Sequence, residues 1–139
     1  MAAYPEEFLH LLKTNGVAVL CTNGKSGYPQ VTAVAYFLDD DGELKISLNT
    51  TRQKTKNLTA NPKCTLFFID PANTNRTIEV RAEAQLAPDP EFAFAARAGA
   101  RYNTNFHNHD RPGETRVIVT LKVAKINTWD QGKRGTSRG

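Results

Sequence analysis

Cationic and hydroxyl side chains are concentrated between residues 49 and 57 of the sequence. Three cations and two neighbouring hydroxyls lie there: Arg52, Lys54, Lys56, Thr50 and Thr51. The segment follows an alternating, strand-like stretch over 43–49 and runs into a short helix that Asn61-Pro62 ends. The first N–H groups of a helix lack partners within it and attract anions, so the pattern predicts a phosphate-binding site. Spacing alone leaves a solvated basic helix turn as the alternative, and without a Gly-rich cradle a nucleotide-triphosphate loop is not indicated.

Other side chains that could do chemistry are few. His107 and His109 lie close to Asp110, but zinc sites need three or four ligands, and no other Cys or His is convincingly placed to complete the set. We therefore interpret this segment as a surface loop and expect no metal site. No nucleophile-elbow pattern occurs, which disfavours hydrolysis. Tyr36 and Tyr102 are candidate proton donors or, alternatively, core residues with a solvated hydroxyl.

Length and composition favour one globular domain. The 139 residues are 40% hydrophobic and 23% charged, which suits a single core and excludes the disordered and collagen-like classes. We place the domain at residues 1–130 and interpret residues 131–139 as a polar tail. A net charge of +4 suits an anionic ligand, but the dense basic stripe of a nucleic-acid binder is missing, so no nucleic-acid partner is expected.

Features of membrane and secreted proteins are not recognisable in the sequence. No apolar run approaches the roughly 20 residues that a membrane helix needs, and no secretory signal precedes the first predicted helix. The two cysteines, Cys21 and Cys64, both lie in apolar, strand-like stretches and are interpreted as packing residues. A cytoplasmic protein without a disulfide is therefore expected.

Period-two alternation and turn residues predict a mostly antiparallel sheet. The predicted strands span 17–22, 29–38, 43–49, 63–70, 77–87 and 115–129. Short helices are predicted over 4–14, before Asn61-Pro62, and from Asp89-Pro90 to about Arg101. Strands in largely sequential order leave exposed edges unless the sheet closes on itself. We therefore predict a mainly β (α+β) fold, an antiparallel barrel with a few short helices.

Four short motifs occur in a fixed order along the chain. They are Gly27-Tyr28-Pro29-Gln30-Val31, then Thr51-Arg52-Gln53-Lys54-Thr55-Lys56-Asn57-Leu58 with Asn61-Pro62, then Ile69-Asp70-Pro71, then Ile78-Glu79-Val80-Arg81-Ala82. Over residues 6–128 this set resembles the split β-barrel family of pyridoxamine-phosphate-oxidase-like flavin and deazaflavin proteins. The form Arg-x-Lys-x-x-Asn-Leu, with an Asp-Pro loop downstream, is similar to the branch that binds coenzyme F-420. It resembles less closely the branch that uses FMN.

The resemblance implies positions for a deazaflavin that carries a lactyl-phosphate and a polyglutamate tail. These are Arg52 and Lys54 for the phosphate with Thr50 and Thr51 nearby, Gln30, Thr32 and Val34 along the ring, and Asn49 at the mouth of the groove. Lys56 and Arg76 are assigned to the tail carboxylates from charge and position, and no catalytic residue is assigned. Asn57 is expected to tie the loop to the helix. Ala82 stands where family members usually have Gly.

The resemblance also implies a homodimer that binds coenzyme F-420 in a groove between subunits. The expected activity is hydride transfer from the reduced deazaflavin to an electron-poor organic substrate, which needs little acid or base chemistry from the protein. An FMN-dependent oxidase or reductase on the same fold is the first alternative. A non-catalytic protein that carries, stores or senses the cofactor is the second, and nucleic-acid binding through the basic loop ranks last.

Overall fold

The computed structural model describes residues 4–130, so the predicted tail over 131–139 lies outside the described residues. Within the described residues, seven antiparallel strands form one sheet, which confirms the predicted mainly β fold. The strands are β1 (Val17–Asn23), β2 (Pro29–Ala35), β3 (Phe37–Leu38), β4 (Leu44–Asn49), β5 (Lys63–Ile69), β6 (Arg76–Pro88) and β7 (Arg116–Asp130). The α-helices are α1 (Leu9–Leu12), α2 (Gln53–Ala60) and α3 (Ala93–Ala100). Three 3-10 turns span Glu6–Phe8, Pro90–Phe92 and Phe106–His109.

The order of strands in the sheet is β2-β1-β5-β6-β7-β4-β3. The stretch 29–38 was predicted as one strand, but the structure interrupts it at Tyr36. β2 pairs with β1 at one edge of the sheet, and β3 pairs with β4 at the other. Because the two edge strands are consecutive in the chain, the sheet must curl until its edges approach each other at Tyr36. The gap that remains between β2 and β4 is the split of the barrel.

The hydroxyl of Tyr102 compensates for the interruption at Tyr36. It accepts a hydrogen bond from the Tyr36 N–H at 3.1 Å and lies 2.6 Å from the Tyr36 carbonyl and 3.0 Å from the Gly16 carbonyl, to which it can donate. A buried backbone group without a partner is costly, so one side chain here replaces the ladder bonds that the interruption removes. The hydroxyl of Tyr36 itself donates to the Leu11 carbonyl at 2.8 Å. Both tyrosines therefore hold the backbone of the barrel.

The core lies inside the curled sheet. Alternate residues of the strands point inward, and Leu20, Leu66, Val80 and Leu121 are completely buried. Each such side chain contributes about 1.5–3 kcal/mol through burial. Helix α2 closes one end of the barrel through Leu58, which is 1% exposed.

Two aspartate–arginine ion pairs hold the starts of the two longest strands. Asp70 binds Arg76, the first residue of β6, at 2.9 Å, and Asp110 binds Arg116, the first residue of β7, at 2.8 Å. In both pairs the acid precedes the base by the same interval along the chain, so each pair braces the loop between them. Arg76 also binds Asp130 at 3.1 Å and the Glu7 carbonyl at 2.9 Å, which ties the N-terminal helical segment to the sheet.

The helices are shorter than predicted. The segment expected as one helix from Asp89-Pro90 has its first turn interrupted, because Glu91 and Phe92 adopt left-handed backbone conformations at φ 55° and 58°. The carboxylate of Asp89 then caps α3 by accepting from the N–H groups of Phe94 and Ala95. Within residues 4–130, none of the helices has the length and apolar character needed to cross a membrane.

Candidate functional site

A pocket of about 180 Å³ opens in the split between β2 and β4. Its lining consists of residues 33–35 of β2, residues 46–49 of β4, Arg52 and Lys54 at the start of α2, and Phe106 with Arg116. Ala33 and Ala35 lie on the outer face of β2, whereas Val34 points into the core. The cations Arg52, Lys54 and Arg116 line the same pocket. The pocket therefore combines small apolar side chains with a group of cations.

Arg52 and Lys54 are the cations of the pocket that lack a carboxylate partner within the described part of the chain. Burial lowers the pKa of the Lys54 ammonium, and the neighbouring charge of Arg52 lowers it further. Two like charges at the start of a helix are stabilised by a bound anion, and the partial positive charge of the helix terminus adds to the attraction. This geometry fits the phosphate predicted for the segment.

The side chain of Asn49 shapes the turn that carries these cations. Its Oδ1 accepts from the Thr51 N–H at 2.8 Å and from the Thr51 hydroxyl at 2.7 Å. The backbone carbonyl of Asn49 accepts from the Arg52 N–H at 3.2 Å and from the Thr55 hydroxyl at 2.7 Å. The hydroxyl of Thr50 lies 2.9 Å from that of Thr115. The structure thus engages three predicted ligand residues, Asn49, Thr50 and Thr51, in building the turn.

A third cation of the pocket, Arg116, escaped the sequence analysis. Its Nε and Nη2 donate to the two carboxylate oxygens of Asp110 at 2.8 and 2.9 Å, and its Nη1 donates to the Ser47 hydroxyl at 3.1 Å. Arg116 lines the pocket, but Asp110 neutralises its charge. The uncompensated positive charge of the pocket therefore comes from Arg52 and Lys54. The pairing of β4 with β7 brings Arg116 and Ser47 together at the pocket, and no local sequence pattern predicts that pairing.

Gln30, Thr32 and Val34 lie on one face of β2, as their spacing predicts, and only Val34 lines the pocket. Thr32 has a buried hydroxyl with no hydrogen-bond partner among residues 4–130. Gln30 accepts a hydrogen bond from Asn57 Nδ2 at 3.2 Å. Asn57 also donates to the Thr22 hydroxyl at 3.1 Å, so it ties α2 to β1.

The two residues predicted to contact a tail lie apart from each other. Lys56 lines a separate cleft of about 490 Å³ between α2 and the β1–β2 turn, together with Lys25 and Gln53. Arg76 lies at the start of β6, where its guanidinium is held by Asp70 and Asp130 and covers the ring of Phe8 at 4.5 Å. Arg76 therefore joins the start of β6 to β7 and to the N-terminal helical segment, whereas Lys56 lines a cleft.

Ala82, where the resemblance leads one to expect Gly, lies at the bulge of β6 opposite Cys64. Its side chain is 4% exposed and belongs to the core cluster. Its φ is not positive, so the backbone does not require glycine. Ala82 lines a different cavity, on the side of Cys21 and Arg81, and its methyl group does not narrow the pocket of Arg52.

The chain matches a family model described as pyridoxamine 5'-phosphate oxidase over residues 4–130. This chain belongs to that family. The match covers every described strand, and the curled antiparallel sheet is the fold that pyridoxamine 5'-phosphate oxidase-like proteins share. Members of this family bind flavin-type cofactors and are mostly oxidoreductases.

Solved structures with this fold resemble the chain along most of its length. A structure described as an F-420 reductase is 33% identical, with a TM-score of 0.76, and the match covers 88% of this chain and 98% of that one. A conserved hypothetical protein from Mycobacterium tuberculosis is 20% identical, with a TM-score of 0.75 and coverages of 94% and 86%. A NimC/NimA family protein from Clostridium acetobutylicum is 23% identical, with a TM-score of 0.68 and coverages of 92% and 86%. The last two likenesses show the fold alone. No curated protein matches this chain.

Proposed function

We propose that this protein is an oxidoreductase that binds coenzyme F-420 and passes hydride from the reduced deazaflavin to an electron-poor organic substrate. The observation that carries the proposal is the pair of uncompensated cations, Arg52 and Lys54, in a pocket that Ala33 and Ala35 also line. The F-420 reductase at 33% identity supports this branch of the family over the others.

The residues of the pocket are suited to holding and orienting a cofactor. Arg52 presents a planar fork that can bind two phosphate oxygens, and Lys54 adds a compact charge. Ala33 and Ala35 contribute small apolar side chains to the lining of the pocket. The deazaflavin, when bound, supplies the hydride chemistry. Fixing it against the substrate is then the main catalytic contribution of the chain.

Ser47 is the hydroxyl that lines the pocket. Its Oγ accepts from Arg116 Nη1 at 3.1 Å, which leaves the hydroxyl proton available for donation into the pocket. We assign Ser47 or solvent as the source of the proton that must accompany hydride transfer. In a Ser47→Ala variant, an unchanged turnover number would identify solvent as the donor.

FMN is the alternative cofactor, because the family includes FMN-binding members and the same two cations suit the FMN phosphate. Titration of the purified protein with oxidised F-420 and, separately, with FMN distinguishes the two. Saturable binding of F-420 in the micromolar range, with weaker or no binding of FMN, is the expected result. Binding of FMN alone would move the protein to the FMN branch, and binding of F-420 without turnover of any unsaturated ketone or quinone would make it a carrier. Binding of neither cofactor would refute the proposal.

Lys56 is proposed to contact the carboxylates of the polyglutamate tail. It is exposed, it lines the cleft beside α2, and Lys25 from the neighbouring turn adds a second positive charge there. A Lys56→Ala variant should therefore bind F-420 more weakly and bind a deazaflavin phosphate without glutamates as the wild type does. An equal loss of affinity for both ligands would show that Lys56 does not contact the tail.

A homodimer is proposed because the outer face of β2, β1 and β5 is apolar and uncovered. Val17, Val31 and Ile69 are 66%, 61% and 47% exposed and lie on this same face, with the half-buried Phe67 between them. Exposed apolar faces of this kind mark interaction surfaces. The pocket is also smaller than the roughly 300–1,000 Å³ of typical ligand sites, so a second copy would complete its walls.

The dimer has a direct test in light scattering coupled to size-exclusion chromatography. The wild type should elute at twice the mass of the chain, and Val31→Glu should elute as a monomer with weakened cofactor binding. Lys13→Glu, a charge reversal at the exposed end of α1, should remain dimeric. A monomeric wild type that still binds the cofactor would exclude a shared site.

The cytoplasm is the proposed compartment. Both cysteines are free thiols, Cys64 buried and Cys21 half-buried, which fits a reducing environment. Recovery of the native protein with the cytosolic fraction of its host would support this placement, and its recovery outside the cell would contradict it.

A further inference from the structure

The carboxylate of Asp110 lies at the centre of a hydrogen-bond network beside the pocket. Its side chain is 1% exposed. Its two oxygens accept from Arg116 at 2.8 and 2.9 Å, from Asn49 Nδ2 at 2.9 Å, and lie against His107 Nδ1 at 3.0 Å. The His107 ring is in turn stacked on Phe92, with ring centres 3.4 Å apart. Asp110 thus joins the 106–109 turn, the end of β4 and the start of β7.

The network fixes which way the Asn49 amide points. Its nitrogen donates to two carboxylates, those of Asp110 and Glu114, at 2.9 and 3.0 Å. Ionised carboxylates only accept hydrogen bonds, so the amide nitrogen must face them and the amide oxygen must face the opposite side. On that side the oxygen accepts from the N–H and the hydroxyl of Thr51, immediately before Arg52.

We propose that Asp110 is a positioning residue for the anion pocket: it orients Asn49, which holds the turn that presents Arg52 and Lys54, and it neutralises Arg116. This inference rests on the proposed function, because the pocket is taken to receive the cofactor phosphate. Asp110 is not placed in contact with the cofactor, and its effect passes through Asn49 and Arg116. Loss of the carboxylate should therefore loosen the turn as well as change the local charge.

The ionisation of Asp110 is compatible with this task. Burial raises its pKa, but hydrogen bonds from Arg116, His107 and Asn49 lower it by more, so the net pKa lies well below the usual range of aspartate. The carboxylate consequently remains an acceptor throughout the neutral range.

Asp110→Asn is the informative variant, since an amide keeps the shape of the side chain but places N–H groups against the donors of Arg116 or Asn49. We expect F-420 to bind about 10- to 100-fold more weakly. In the free protein, hydrogen exchange of the Thr51 and Arg52 amides should accelerate at least tenfold. Asp70→Asn is the matched control: it removes the equivalent charge from the Arg76 pair and should leave both measurements unchanged. If Asp110→Asn does not fold, Glu114→Ala removes the second acceptor of Asn49 and should give a smaller change in the same direction.

Combination with Arg52→Ala separates positioning from general destabilisation. If Asp110 acts through the turn, Asp110→Asn should add less than a threefold loss of affinity once Arg52 is absent, because coupled residues are not additive. Full additivity would reduce Asp110 to a structural residue, and tighter binding in the single variant would make it only a counter-charge to Arg116. Either result overturns the inference, as do unchanged exchange rates. A wild type that binds no F-420 refutes the proposed function instead, while the exchange measurement in the free protein still decides the role of Asp110.

Discussion

Replacement of both Arg52 and Lys54 by alanine should reduce F-420 affinity by at least about 100-fold. Charge-assisted hydrogen bonds contribute about 1.5–3 kcal/mol each, and every 1.4 kcal/mol corresponds to about tenfold in affinity. The thermal stability should change little, because neither cation forms an ion pair within residues 4–130 and their mutual repulsion is relieved. Calorimetric titration of the cofactor together with thermal unfolding measures both effects.

The two cations should also differ in their dependence on pH. A phosphate favours the charged form of lysine, and the lowered pKa of Lys54 means that this charge is lost at a lower pH than in an exposed lysine. Affinity should therefore fall as the pH rises through the Lys54 pKa, and a Lys54→Arg variant, which stays charged, should keep its affinity there. A falling affinity in Lys54→Arg would place the titrating group elsewhere.

The matched control for the double variant is Lys13→Ala with Lys125→Ala. Both lysines are exposed and neither lines the pocket, so the net charge falls by the same amount without touching the site. If this control loses as much affinity as the double variant, attraction by the overall charge of the protein explains the binding. If the Arg52→Ala/Lys54→Ala variant keeps its affinity for F-420, the phosphate does not bind at the start of α2.

Tyr102→Phe should destabilise the fold by roughly 2–4 kcal/mol. The hydroxyl is the partner of the Tyr36 N–H and lies within hydrogen-bond distance of two carbonyls at the interruption between β2 and β3. Each buried backbone group left without a partner costs about 1–3 kcal/mol. For a domain of this size the melting temperature should fall on the order of 10 °C, as measured by circular dichroism or calorimetry.

Tyr28→Phe removes a hydroxyl from a ring that is 79% exposed and should leave the melting temperature within the error of the measurement. The comparison also decides between the two interpretations of Tyr102 that the sequence leaves open. Burial raises the pKa of Tyr102, and backbone groups surround its hydroxyl, which favours a structural role over proton donation. A Tyr102→Phe variant that is fully stable but loses turnover would favour proton donation.

Local patterns predicted the parts of the fold whose causes are local. Alternation over 43–49, 63–70 and 77–87 reappears in β4, β5 and β6 with small changes in bounds. The interruption at Tyr36 could not be predicted in this way, because it depends on a hydroxyl from Tyr102, far along the chain. Nor could the left-handed residues before α3, since bulky side chains such as Phe92 seldom adopt that conformation.

The residues of the candidate site also divide into those predicted from a local motif and those that depend on distant parts of the chain. Arg52 and Lys54 belong to one short motif, and the structure places both at the pocket, while their role in cofactor binding remains a prediction. Arg116 and Ser47 arrive there through the register of β4 against β7, which is a property of the folded sheet. Asn49 lines the pocket, and its place at the mouth of a cofactor groove remains a prediction. Its hydrogen bonds to Asp110 and Glu114 depend on the folded chain, because both acids lie far from it in sequence.

The strand order has a consequence for the kinetics of folding and unfolding. β1 with β2 and β3 with β4 are hairpins whose contacts form between near neighbours in sequence, whereas residues 50–115 separate β4 from its partner β7. Contacts of such high sequence separation carry the largest loop-closure cost, so closure of the barrel is expected late on the folding route. The pocket consists of residues from both sides of this closure. A ligand in the pocket therefore stabilises the last contacts to form. It should slow unfolding, which lengthens the lifetime of the folded protein, and leave the rate of folding almost unchanged.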